Sequence, residues 1–285
     1  MNEESLDLCL AGEISPEVAL ARLLLLGATP DVISAMLARR GVAREAWRGL
    51  PELLVVKRET LTRLAAEVAA GVSDHAALAG AGGTAAIAAF FDRAVAHSPE
   101  ASVALYSLAD PAILAAATEE IVAWLRSRNV LGGDVLDLGC GIGRVAARLA
   151  TECRSVFGLD VSANMVAEAV RRHGSIANVQ FATTTGENLD SVPGNSLDLV
   201  LAIDSFPYIV QIGDDLAQEH ISGAARTLRP GGNIAILNVS YRGDLAMDEA
   251  DVVRWAEATG LHVTEMAARP FALWDGAACL IAKPA

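Results

Sequence analysis

The segment Asp137-Leu138-Gly139-Cys140-Gly141-Ile142-Gly143-Arg144 holds the residues of this 285-residue chain best suited to cradling a ligand. Glycines at alternate positions let a ligand approach the backbone with no Cβ in the way. A helix opening at Arg144 would turn its unpaired amides toward that ligand. The glycines alone leave a dinucleotide open, because Gly141-x-Gly143-x-x-Ala146 also fits that fingerprint. The surrounding residues narrow the choice. Asp137 would repel a pyrophosphate and suits a cationic ligand. Asp160, at the end of the next apolar run, can accept bonds from both hydroxyls of a ribose. Farther on, Asp204 and Tyr208 pair a carboxylate with a phenol, groups able to orient or deprotonate a bound reactant.

Such residues need strands that end where they stand. Short apolar runs at Val135–Leu138, Val156–Asp160, Val179–Ala182, Leu197–Ile203 and Asn233–Val239 alternate with helical stretches at 144–151, 162–173 and 214–228. That alternation predicts βαβ units and a doubly wound, mostly parallel sheet. Leu261–Ala268 and Ala277–Ala282 have only Arg269–Gly276 between them, too little for a crossover helix, so an antiparallel C-terminal hairpin completes seven strands. The first 95 residues read as helices only. Ser15-Pro16-Glu17 and Thr29-Pro30-Asp31 each supply a cap, a first-turn proline and an acid, with stops at Gly27 and Gly41. Further helices are expected at 58–70, 84–96 and 110–128. The glycines at 71, 80, 82 and 83 mark the candidate linker. The expected division is an all-α region over 1–95, acting as domain or lid, and an α/β domain over 96–285.

Asp137, Gly139, Gly141 and Gly143 complete an acid-x-Gly-x-Gly-x-Gly motif. With Asp160, Val161–Met165, Pro193–Val200 and Leu228–Gly232 in order behind it, the sequence resembles the class I S-adenosylmethionine-dependent methyltransferases, particularly those acting on small molecules. The resemblance runs from about Tyr106 to Lys283. It implies S-adenosyl-L-methionine as cofactor, held by Asp137, Gly139, Cys140, Gly141, Gly143 and Arg144 at the loop and by Asp160 on the ribose. It also implies Val161 and Met165 beside the adenine, Asp204 at the cofactor's edge, and Tyr106 as an aromatic over the cofactor. The family often has an acid after the third strand. Thr184-Thr185-Gly186 stands there in this chain, so Gly186 or Glu187 is expected to take that part. The implied reaction is in-line methyl transfer to O, N, S or C of a small molecule. Asp204 and Tyr208 would be catalytic, Ser205, Tyr208 and Tyr241 would face the acceptor, and Arg242 would receive an acidic group on it. Removing Asp160 is then expected to weaken the cofactor by about one to two orders of magnitude at unchanged fold stability. Two other readings stay open: a protein that binds the cofactor without catalysis, for assembly, and a NAD-dependent oxidoreductase.

Bulk composition excludes several classes. A net charge of −13 opposes nucleic acid, whose affinity for proteins rests mainly on Lys and Arg. The five histidines and four cysteines show no metal-ligand spacing, so buried free thiols and no metal site are expected. His220 reads as structural. The most apolar stretch, Val18–Ala28, contains Arg22 and falls short of the ~20 residues of a membrane span, and Met1–Asp7 lacks the basic start of a signal peptide. No membrane partner and a cytoplasmic location are expected. The helical region admits three roles: a lid, a homodimer surface built on Leu23–Leu26, or a docking surface for another protein.

Overall fold

Grammar read in the sequence becomes helix ends in the structure, a computed structural model that describes residues 3–70 and 83–285. Gly71, Gly80 and Gly82 of the candidate linker lie outside the described residues. The chain begins with α1 (Glu4–Ala11), α2 (Pro16–Leu25), α3 (Pro30–Arg40), α4 (Leu50–Val56) and α5 (Arg58–Ala69). Ser15 and Thr29 cap α2 and α3 by accepting from the amides of Val18 and Val32. After α6 (Gly83–His97) and α7 (Pro99–Val103) comes α8 (Pro111–Ser127).

Two compact units result, and they interleave in sequence. The first comprises Met1–His75, Arg93–Glu120 and Phe271–Asp275, the second Ala76–Asp92, Ile121–Pro270 and Gly276–Ala285. The single boundary expected after residue 95 falls inside α6. The core of the first unit holds Leu6, Leu20, Leu23, Leu24, Ile33 and Trp47. The stripe Leu23–Leu26 is therefore split: Leu23 and Leu24 are buried, whereas Leu25 and Leu26 are 46% and 53% exposed.

The second unit is built on β1 (Asp134–Leu138), β2 (Ser155–Asp160), β3 (Val179–Thr183), β4 (Leu197–Ile203), β5 (Leu228–Leu237), β6 (His262–Ala267) and β7 (Ala278–Ala282). They form one sheet in the order β3-β2-β1-β4-β5-β7-β6. The first five strands pair in parallel; β7 pairs antiparallel with both β5 and β6. Between and after them run α9 (Arg144–Leu149), α10 (Ala163–His173), α11 (Phe206–Ile212), α12 (Asp214–Thr227) and α13 (Leu245–Glu257). The doubly wound sheet with its antiparallel C-terminal strands is thus as expected. Strand order reverses between β1 and β4, which puts the ligand crevice at their carboxyl ends.

At the opposite, amino ends of these strands, four charges knit the sheet. Arg229 donates to Asp198 (2.6 Å) and Asp134 (2.9 Å), and Arg154 pairs with Asp134. The Arg154 guanidinium holds the Asp134 carboxyl well below the usual range. The Arg229-Pro230-Gly231-Gly232 motif accordingly serves the frame, one sheet length away from the crevice. His220 is buried in α12 with Nδ1 2.9 Å from the Leu216 carbonyl. All four cysteines are free and buried. Among the described residues no single helix is long and apolar enough to cross a membrane, and no group of acids, histidines and cysteines could hold a metal ion.

Candidate active site

The loop after β1 is fixed by its neighbours on both sides. The amides of Gly139 and Cys140 donate to the carbonyl of Leu159 at the end of β2 (2.7 and 3.0 Å). Ser205, just past β4, donates its hydroxyl to the Leu138 carbonyl at 2.6 Å. Gly139 has φ +76°, and a Cβ there would overlap the Cβ of Ser205. At Gly143 a Cβ would come within 2.6 Å of the Phe181 ring, so the missing side chain lets the start of α9 pack against β3. Cys140 turns its sulfur toward Gly158, and burial pushes the thiol far above its ordinary value. Only its backbone is left for a ligand.

The two acids flanking the loop behave differently. Asp137 is buried and its Oδ2 has no hydrogen-bond partner among the described residues. Burial pushes its carboxyl up to about 7; Arg144 opposes the shift and the Asp160 charge adds to it. An unpartnered buried carboxylate oxygen is costly, and a cationic donor from a ligand would relieve it. Asp160 is instead already engaged. Its Oδ2 accepts from the Gly141 amide (2.8 Å) and its Oδ1 from the Ser162 amide (2.9 Å). Asp160 therefore ties the loop to the strand end, which corrects the expectation that its removal would spare fold stability. Its remaining lone pairs are the ones a ribose could use. Capping of α10 falls to Ser162, whose hydroxyl accepts from the Met165 amide.

Across the crevice, strands β4 and β5 are each followed by a residue with left-handed backbone, Asp204 (φ +54°) and Asn238 (φ +72°). Asp and Asn tolerate that conformation better than other side-chain-bearing residues. Asn238 donates through Nδ2 to Asp204 Oδ1 (2.8 Å). The Tyr241 hydroxyl donates to the same oxygen (3.1 Å) and lies 3.3 Å from the Tyr208 hydroxyl. Burial of the hydroxyls, then the Asp204 charge, push both phenols above their ordinary value. The Tyr208 side chain is buried throughout, whereas Tyr241 is 40% exposed and so the member open to solvent. The structure thus gathers Asp204, Tyr208 and Tyr241, and adds Asn238, which no motif in the sequence marked.

Helix α6 closes the circuit within the second unit. Asp92 accepts from the Ser162 hydroxyl (2.6 Å) and the Asn164 amide (3.0 Å), docking the helix on the corner between β2 and α10. Next to it, Phe91 meets the Tyr208 ring edge to face at 5.2 Å. At the helix start, Thr84 faces Gly186, which lies against Val161. A continuous ring of contacts therefore runs from Asp160 through Ser162, Asp92, Phe91, Tyr208 and Asp204 to Ser205 and the glycine loop. Helix periodicity alone places α6 in the separate N-terminal region; these contacts place its first part with the sheet.

Tyr106 belongs to the first unit, where it stacks on Trp274 at 6.4 Å. Arg242, expected to receive an acidic group, donates to Asp248 (2.5 Å) and Asp251 (2.7 Å), so its charge is already matched. Ser205, expected to face an acceptor, spends its proton on the Leu138 carbonyl. Glu187 is exposed, its amide 3.4 Å from the Thr185 hydroxyl, and Met165 is buried in α10.

Residues 135–232 match a family described as "Methyltransferase domain". A stretch of 137 residues is 33% identical to the ubiquinone biosynthesis O-methyltransferase of Bradyrhizobium diazoefficiens, covering 46% of this chain and 51% of that protein. A stretch of 136 residues is 29% identical to the S-adenosyl-L-methionine-dependent Diels-Alderase iccD of Talaromyces variabilis, covering 46% and 44%. The chain thus spans about half the length of these curated relatives. Among solved structures, the phosphoethanolamine N-methyltransferase 1 of Haemonchus contortus superposes with a TM-score of 0.56 at 18% identity, over 71% of this chain and 49% of that one. That likeness is one of fold.

Proposed function

We propose that this chain, whose residues 135–232 match a methyltransferase domain, is a class I S-adenosylmethionine-dependent methyltransferase that transfers a methyl group to a small-molecule acceptor. The observation that carries the reading is Asp137, a buried carboxyl with an unpartnered oxygen beside a glycine cradle. A pyrophosphate would meet repulsion there; the amino group of S-adenosylmethionine would supply the missing donor and charge. Asp160 would take the ribose hydroxyls, and Val161 and Gly186 would lie along the adenine.

When bound, the cofactor supplies a methyl group on a positively charged sulfur that leaves as a neutral thioether. The protein's part is then to align, to exclude water and to handle one proton. Asn238 and Tyr241 hold Asp204 in place, Asp204 orients the acceptor and takes its proton, and Phe91 and Tyr208 keep water from the crevice.

Calorimetric titration tests the cofactor half. S-adenosylmethionine and S-adenosylhomocysteine should bind, NAD(H) should not, and Asp137→Asn should weaken both cofactor forms at least ~tenfold. Binding of NAD(H) alone would overturn the reading. The Diels-Alderase among the relatives suggests a second use, cofactor binding without methyl loss. Transfer of isotope-labelled methyl to any acceptor in a metabolite panel separates the two.

A further inference from the structure

We infer that the acceptor binds as a positively charged amine, held at the Asp204 corner between the carboxylate and the aromatic walls of Phe91, Tyr208 and Tyr241. This rests on the methyltransferase reading and narrows it to N-methylation. Three observations within the second unit carry it. The first is geometry: Phe91 and Tyr208 meet at 86° with centroids 5.2 Å apart, and Tyr208 and Tyr241 at 79° and 5.5 Å. In each edge-to-face pair one ring turns its electropositive edge to its partner's electron-rich face, and the faces left over are the surfaces that attract an ammonium group.

The second is charge. Asp204 sits at that corner, fixed through Oδ1 by Asn238 and Tyr241. A second anion at this corner would meet the Asp204 charge, which adds to burial in pushing both tyrosines up. A carboxylate or phenolate acceptor would meet the same resistance. Arg242, the residue after Tyr241, is matched by Asp248 and Asp251 and offers no counter-charge to an anion. The third is the whole-chain charge of −13, which favours encounter with cations over anions.

The chemistry balances with the residues in place. A bound ammonium gives one proton to the Asp204 carboxylate, exposing the nitrogen lone pair. A nitrogen–carbon bond then forms to the methyl as the carbon–sulfur bond breaks, its electron pair staying on sulfur. Asp204 passes its proton to water, so each turnover converts one ammonium into one methylated ammonium and releases one proton.

The test begins with binding, using tetramethylammonium chloride and its neutral near-isostere tert-butanol as probes on the full chain saturated with S-adenosylhomocysteine. Ligand-detected NMR titration should give tetramethylammonium at least ~tenfold tighter binding than tert-butanol. Asp204→Asn, whose side chain tolerates the same left-handed backbone, should abolish that preference, and Phe91→Leu should reduce it about threefold. Equal binding of the two probes, or a preference indifferent to Asp204→Asn, overturns the inference. A methyl-transfer assay pairing amines with phenols and carboxylates decides independently. Transfer to phenols or carboxylates alone refutes the amine while leaving the methyltransferase standing. Failure to bind the cofactor would instead refute the parent reading.

Discussion

Asp137 shows how one side chain can be tuned against the fold that holds it. Burial pushes its carboxyl up to about 7, well above the range of an ordinary aspartate. For an acid so placed, ionisation in the folded state costs stability as pH rises from about 4 to about 7, and the cost is constant above that. A rise of this size corresponds to at most about 4 kcal/mol. Asp137→Asn should therefore raise the thermal midpoint of the unliganded protein at pH 8 and leave it unchanged near pH 4, even as cofactor affinity falls. A lowered midpoint at pH 8 would show that the carboxylate is satisfied in the free protein. Burial pushes the Asp160 carboxyl up as well, but Asp160 has partners where Asp137 lacks one. Because it accepts from two loop amides, Asp160→Ala should cost about 2–4 kcal/mol of stability as well as cofactor affinity, readable as a shifted urea midpoint.

At the scale of elements, the site depends on strand ends meeting at fixed separations. Gly139 and Ser205 touch across the gap between β1 and β4, so Gly139→Ala should destabilise by about 2–4 kcal/mol, from both backbone strain and overlap. Pairing it with Ser205→Gly should recover the overlap part, giving a coupling of about 1 kcal/mol or more in a double-mutant cycle. Strict additivity would mean the contact is not the source of the cost. Helix α6 supplies the other test. With Asp92→Ala the helix loses its hold on Ser162 and Asn164. Hydrogen exchange over residues 84–92 should speed up, and KM for the cofactor should rise more than kcat falls. This helix was legible in the sequence as a helix, from its alanine-rich, apolar-periodic run. Its membership of the α/β unit was not, because a docking contact made through one aspartate leaves no mark on local periodicity. Helix α13 was missed for a different reason. Its cap, Asp244, accepting from the Met247 amide, follows Tyr241-Arg242-Gly243 and reads as part of a loop.

For the molecule as a whole, the proposed role of Asp137 would link cofactor binding to pH through the proton it holds. A cationic amino group requires the ionised carboxylate, so binding below pH 7 must expel a proton, and affinity should fall by about tenfold per pH unit there. A cofactor concentration of 100 Kd stabilises by about 2.7 kcal/mol. The thermal shift produced by a fixed concentration of S-adenosylmethionine should therefore shrink from pH 8 to pH 6, and a shift independent of pH would remove Asp137 from the binding site. The net charge of −13 acts over longer range. Association of the cationic cofactor should slow as ionic strength rises from about 0.01 to about 0.15 M, where screening shortens from about 30 to about 8 Å.

The sequence by itself determined the alternation that builds the sheet, the glycine loop and its acids, and the caps of the first helices. Each of these is a matter of local backbone conformation and short-range pattern. The residues Asp204, Tyr208 and Tyr241 were identifiable too, since each follows a strand whose carboxyl edge is predictable. Tertiary structure decided what these groups do to one another. Asn238 clamps Asp204, Ser205 braces the loop, Arg242 is spent on its own aspartates, and Asp160 is a tie as well as a candidate ligand group. Those roles depend on distances between segments far apart in the chain. Hydrogen-bond partners at 2.6–3.1 Å across β4, β5 and α6 are fixed only when the strands pair and the helix docks.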